Sequence, residues 1–242
     1  MLYFLAILSG ILPALLLVAF IYWKDKYQHE PISWILKSFW YGAMACVPAA
    51  LIEAFWPECY LGELGTSIYY SFVVIALTEE AMKFLFFWLL VRHNPHFDER
   101  MDGIVYAACI GMGFAGLENI GYLMTDVTNL AMLGAARALI SVPGHFFFAV
   151  FMGYYYSLSV YGPRRHRRLM LLCSLLVPTL LHGLFDCALL TFELGVLYML
   201  LAMVVFVALF ILMAVYVNRH MKRLLEADNR LMHKQFDEQE KA

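Results

Sequence analysis

Charge is scarce in this 242-residue chain: Asp, Glu, Lys and Arg supply 15% of it, against 63% hydrophobic residues. A soluble domain of this length could not bury so much apolar surface, so the composition reads as that of an integral membrane protein. No stretch interleaves basic and aromatic side chains as a nucleic-acid surface does, which removes nucleic acid from the possible partners. The five cysteines, at 46, 59, 109, 173 and 187, form no Cys-x-x-Cys, and all but Cys59 fall inside apolar runs. They read as small core residues, not as a disulfide or metal framework. Also missing are a His-Glu-x-x-His zinc helix, a Gly-x-Ser nucleophile with a suitable histidine, and a pair of intramembrane aspartates, Asp186 being alone. Three protease plans are thereby excluded. No internal repeat is visible, which argues against a transporter built from two related halves.

What the chain does have is long apolar runs. Hydropathy places them at about 2–22, 33–55, 67–91, 104–124, 131–159, 169–190 and 194–217. The first run lacks a basic flank before it and exceeds a signal-peptide core in length, so it is expected to remain as a span. Lys24 and Lys26, Arg92 and Arg100, the group Arg164, Arg165, Arg167 and Arg168, and the tail from Arg219 fall in alternate links, while the other links hold no Lys or Arg. The positive-inside rule then predicts an outside N-terminus and a cytoplasmic C-terminus. The expected fold is an all-α polytopic membrane protein of about seven transmembrane helices. Residues 1–217 form one helical domain, and 218–242 a cytoplasmic tail in which Met221, Leu224, Leu225 and Leu231 mark a solvated or interfacial helix.

Against this background the stretch Leu77-Thr78-Glu79-Glu80-Ala81-Met82-Lys83-Phe84 stands out. Each charge at mid-membrane costs roughly 2.5–3.5 kcal/mol unless it is paired, neutralised or wet. Lys83 follows Glu79 by four residues and Glu80 by three, so on a helix it reaches one carboxylate along a shared face. Further polar groups follow on later runs: Glu118 and Asn119, then Arg137 and His145, then His182 and Asp186, the last two an i,i+4 pair in which the carboxylate orients the imidazole. By depth, these groups meet between the midplane and the outer leaflet. Arg137 lies within snorkelling reach of the interface, and Glu53, at the outer end of the second run, reads as solvated. Gly111-Met-Gly113-Phe-Ala-Gly116 matches a dinucleotide motif by letters only and predicts close helix packing. Carboxylates and imidazoles in lipid suit two chemistries, hydrolysis with an acid and a base, or proton-coupled transport, and spacing alone does not separate them.

Glu79-Glu80-x-x-Lys83, Phe114-x-x-x-Glu118-Asn119, His145-x-x-x-Ala149 and His182-x-x-x-Asp186, in that order on successive helices, resemble the motifs of the PrsW family of bacterial intramembrane proteases. That family is grouped with the CAAX prenyl endopeptidases and the γ-secretase scaffold subunit. The resemblance implies a multi-pass protein of the bacterial cytoplasmic membrane that makes a site-1 cut in the extracytoplasmic part of a single-pass partner such as an anti-sigma factor. It also implies Glu79, Glu80, Glu118, His145 and His182 as catalytic residues, with Lys83, Asn119 and Asp186 in support. The favoured chemistry is metal-free, with glutamate-activated water. A zinc-dependent version would use Glu118, His145 and His182. A non-catalytic scaffold or a transporter remains the alternative on a shared fold.

Overall fold

The computed structural model describes residues 2–25, 28–126 and 128–239; Lys26, one of the basic residues of the first link, lies outside them, as does the side chain of Leu231. Among the described residues there are helices and no strands. In chain order they are α1 (Leu2–Lys24), α2 (Ile32–Ala54), α3 (Glu63–Tyr69), α4 (Leu77–Val91), α5 (Arg100–Thr125), α6 (Leu130–Ala136), α7 (Val142–Tyr161), α8 (Arg167–Leu190) and α9 (Val196–Gln239). A π-helical turn at Tyr70–Ala76 joins α3 to α4, and another at Arg137–Ser141 joins α6 to α7. Each pair therefore forms one long helix.

Six helical runs are long and apolar enough to cross a membrane: Tyr3–Lys24, Ile32–Ala54, Arg100–Thr125, Leu130–Tyr161, Arg164–Leu190 and Val196–Arg230. The third expected span is continuous helix from Glu63 to Val91, but Glu79, Glu80 and Lys83 make it more polar than the rest. The chain is thus an all-α polytopic membrane protein. Helix α9 does not stop at the expected end of the bundle but runs on to Gln239. Its extension is pinned by Asp228, which pairs with Arg100 at 3.1 Å and accepts the Met101 N–H at 3.1 Å. Met221 and Leu224 are buried beneath it.

Helix α5 is the centre, with 83% of its most apolar stretch buried. Asp102 and Glu99 cap its start reciprocally, satisfying backbone N–H groups that a first turn leaves free. Two small residues explain how tightly its neighbours approach. A Cβ on Gly113 would overlap the Phe39 carbonyl oxygen of α2, and one on Gly42 would overlap the Ile110 carbonyl oxygen of α5. On the opposite side, a Cβ on Gly111 would stand 2.5 Å from the Ala149 Cβ of α7. The glycine run is a packing device, as its setting in a hydrophobic helix predicts. The cysteines are all free, with Cys46 and Cys109 buried.

Candidate intramembrane active site

Both π turns lie one to two helical turns before site residues: Tyr70–Ala76 before Glu79, and Arg137–Ser141 before His145. Such a turn re-aims the side chains after it, which is why π turns recur at functional sites. The second coincides with Pro143, whose missing N–H leaves the preceding carbonyls free. Nothing in the sequence marks the first.

At the core of the site is the Lys83 ammonium. Its Nζ donates to Glu79 Oε2 at 2.9 Å and to Glu80 Oε1 at 2.9 Å, lies 3.0 Å from His145 Nδ1, and sits 4.0 Å from the centre of the Phe114 ring. The expectation that Lys83 serves a single carboxylate is therefore corrected: one turn of helix offers both, and the ammonium sits between them. With Nδ1 accepting from Lys83, the proton of a neutral His145 ring resides on Nε2, which lies 2.9 Å from Glu118 Oε2 and donates to it. His182 has Nδ1 at 3.0 Å from Glu80 Oε1 and Nε2 at 3.3 Å from Asp186 Oδ2. Both ring nitrogens thus lie near carboxylate oxygens, Nδ1 within hydrogen-bond reach of Glu80 and Nε2 in charge contact with Asp186. The ring of Phe148 stacks on His182 at 4.7 Å and fixes its plane.

The structure brings all of the expected side chains into one cluster. Glu79, Glu80, Lys83, Asn119, His145 and His182 are buried, while Glu118 and Asp186 are partly open. Two residues were read differently from sequence. Arg137 does not snorkel outward: its Nη2 lies 2.9 Å from Glu118 Oε2, in charge contact although off the hydrogen-bonding axis, and its Nε donates to Asn119 Oδ1 at 2.5 Å. The guanidinium also lies over Tyr122, 3.9 Å from the ring centre. The signal for it was present, since an arginine within an apolar run needs a partner at that depth. Glu53 is only partly solvated: it is half-buried and borders both cavities, with Oε1 buried and unpartnered.

Two cavities meet here. A polar chamber of about 220 Å³ is bordered by Glu79, Glu118, Arg137, His145, His182 and Asp186, among others. A larger cleft of about 870 Å³ runs between α2 and α5 along Val47, Leu51, Phe114 and Leu117. Glu79 borders both, whereas Glu80 borders neither.

For a metal, the residues whose ligand atoms lie within 4.8 Å of one another are Glu79, Glu80, His145 and His182. Glu118, which the zinc-dependent expectation joins to His145 and His182, is not among these four. Two carboxylates and two imidazoles are suitable zinc donors by chemistry. Among the described residues these four could hold a metal ion, and the Lys83 ammonium stands 2.9–3.0 Å from three of them.

Comparison with known sequences gives the family. A profile of the family described as PrsW family intramembrane metalloprotease matches residues 30–213. The chain is 39% identical over 182 residues to Protease PrsW of Clostridioides difficile (strain 630), covering 74% of this chain and 76% of that protein. It is 36% identical over 201 residues to Protease PrsW of Bacillus subtilis (strain 168), covering 83% and 90% respectively. Protease PrsW of Geobacillus kaustophilus (strain HTA426) is 36% identical over 190 residues, with 78% and 82% covered. No solved structure is significantly similar. An all-helical, multi-pass bacterial membrane protein with a buried acid–imidazole site defines the class, an intramembrane peptidase. The chain belongs to the PrsW family of intramembrane proteases.

Proposed function

We propose that this protein is an intramembrane endopeptidase of the glutamic type, making a site-1 cut in the extracytoplasmic part of a single-pass membrane protein such as an anti-sigma factor. The observation that carries this reading is the position of Glu79, at the junction of an apolar cleft and a polar chamber. A peptide segment leaving the lipid along α2 and α5 meets a carboxylate backed by buried donors.

In this reading Glu79 takes a proton from a water molecule in the chamber, and the water oxygen bonds to the scissile carbonyl carbon. The carbonyl oxygen becomes an oxyanion, which Arg137 and His182 stabilise from the chamber wall. The proton passes to the leaving nitrogen, the C–N bond breaks, and a carboxylic acid and an amine leave. Glu80 and Lys83 hold Glu79 in place, while Asn119 positions Arg137 and Asp186 positions His182. Glu118 orients His145 and pairs with Arg137. A cut outside the membrane is the reading supported by the cytoplasmic C-terminus and outward-displaced cluster expected from the sequence.

A zinc-dependent version is the second reading, favoured by the four donors within 4.8 Å of one another. It requires Lys83 to withdraw. The test is comparison of the membrane proteomes of cells carrying the native chain and Glu80→Gln, followed by cleavage in vesicles from purified components. A single-pass protein cut just outside the membrane by the native chain alone is the expected result. Cleavage by both Glu79→Gln and Glu80→Gln would refute the assignment, and loss to a chelator with recovery on adding zinc would overturn the metal-free chemistry.

A further inference from the structure

Glu53 lies at the last turn of α2, where the face toward the cleft is otherwise Cys46, Val47, Ala50 and Leu51. Four residues border both cavities: Glu53, Glu79, Glu118 and Tyr122. Three of them are held. Glu79 accepts from Lys83, Glu118 pairs with Arg137 and His145, and Tyr122 lies under the Arg137 guanidinium. Among the described residues, the Glu53 carboxylate has no hydrogen bond and no ion pair, and its Oε1 is out of contact with solvent. An unsatisfied buried acceptor costs free energy that a neighbouring apolar side chain would not. Its place at the narrowing between cleft and chamber points to a donor that arrives with the ligand.

An extended peptide is such a ligand. Once unwound, its main-chain N–H groups lose their helical partners, and in a cleft lined by Val47, Leu51, Phe114 and Leu117 they find few acceptors. We infer that Glu53 is a substrate-binding residue, whose carboxylate accepts a main-chain N–H of the unwound segment as it passes from the lipid-side cleft to Glu79. The inference rests on the protease reading above and names the group that holds its substrate.

The test compares Glu53→Gln and Glu53→Leu in vesicles, using the single-pass substrate identified by the Glu80→Gln proteome comparison at varied mole fraction. Glutamine keeps an acceptor oxygen and leucine does not. Glu53→Leu is expected to raise KM about 10-fold or more with kcat within about threefold, while Glu53→Gln keeps KM within about threefold. Thermal melting of Glu53→Leu is expected to match or exceed that of the native protein, since a half-buried carboxylate without a partner has been removed. Unchanged KM in Glu53→Leu, a loss confined to kcat, a KM rise in Glu53→Gln equal to that of leucine, or a lowered melting temperature would each overturn the inference. The Glu79→Gln and Glu80→Gln variants separate the two readings. Cleavage by both refutes the protease site and this inference together, whereas silence in both with unaltered Glu53→Leu kinetics refutes the inference alone.

Discussion

Replacing Lys83 with methionine keeps the length of the side chain and removes its charge. The perturbation strands Glu79 and Glu80, both buried, without the donor that each holds at 2.9 Å, and deprives His145 Nδ1 of its partner at 3.0 Å. Removing one member of a buried pair destabilises by about 3–5 kcal/mol, because the remaining charge has neither water nor partner. For a chain of this size each kcal/mol moves the melting temperature by about 2–4 °C, so Lys83→Met should melt about 6–20 °C lower in detergent at neutral pH. Melting followed by intrinsic fluorescence measures this directly. The triple variant Glu79→Gln, Glu80→Gln, Lys83→Met removes the stranded charges and should recover most of the loss. A Lys83→Met protein that melts within about 2 °C of the native chain would show that the ammonium does not hold these carboxylates. The role of Lys83 as the resident cation of the site would then have to be abandoned.

Two further outcomes are expected. Gly113→Ala places a methyl group on the Phe39 carbonyl oxygen, so the α2–α5 crossing must spread at a cost of about 1–3 kcal/mol; an unaltered melting temperature in the same assay would contradict the contact. On the other face, the Asp25 carboxyl, just beyond α1, is pushed from 3.8 up to about 7 by burial and then by Glu30 and Glu99. Its folded state keeps a proton that the unfolded chain has already lost, so its contribution to stability falls as pH rises from about 3.8 to about 7 and is constant above. The melting temperature of Asp25→Asn relative to the native chain should therefore rise across that window, and a difference independent of pH would refute the burial of this charge.

Much of this molecule is legible from residue order because lipid makes polar groups conspicuous. Glu79, Glu80 and Lys83 cannot be hidden in an apolar run, and the i,i+4 spacing of His182 and Asp186 fixes a shared face without any knowledge of neighbours. The glycines of α5 announce a close approach, though not which helices make it. What was not legible depends on rotation and reach. The π turn at Tyr70–Ala76 shifts the facing of everything after it, and it leaves no mark in composition. Arg137 has a side chain long enough to go to the interface or to Glu118, and only the position of α5 decides between them. Glu53 sits at a helix end where solvation is the ordinary outcome, yet it is half-buried and borders both cavities. Nor does spacing show that His145 faces Lys83 with one nitrogen and Glu118 with the other.

The tight crossing of α2 and α5 has a mechanical corollary. Helices pressed together at Gly42 and Gly113 must diverge away from that point, so the gap holding Glu53 and Glu118 is the open end of a pair of shears hinged on two glycines. Glu53 stands about 16 Å along the blade from Gly42, and a swing of about 5° at the hinge carries it about 1.4 Å. The most apolar stretch of α5 is 83% buried and that of α2 39%, so of the two blades α2 has the less packing to hold it, and the width of the gap follows α2.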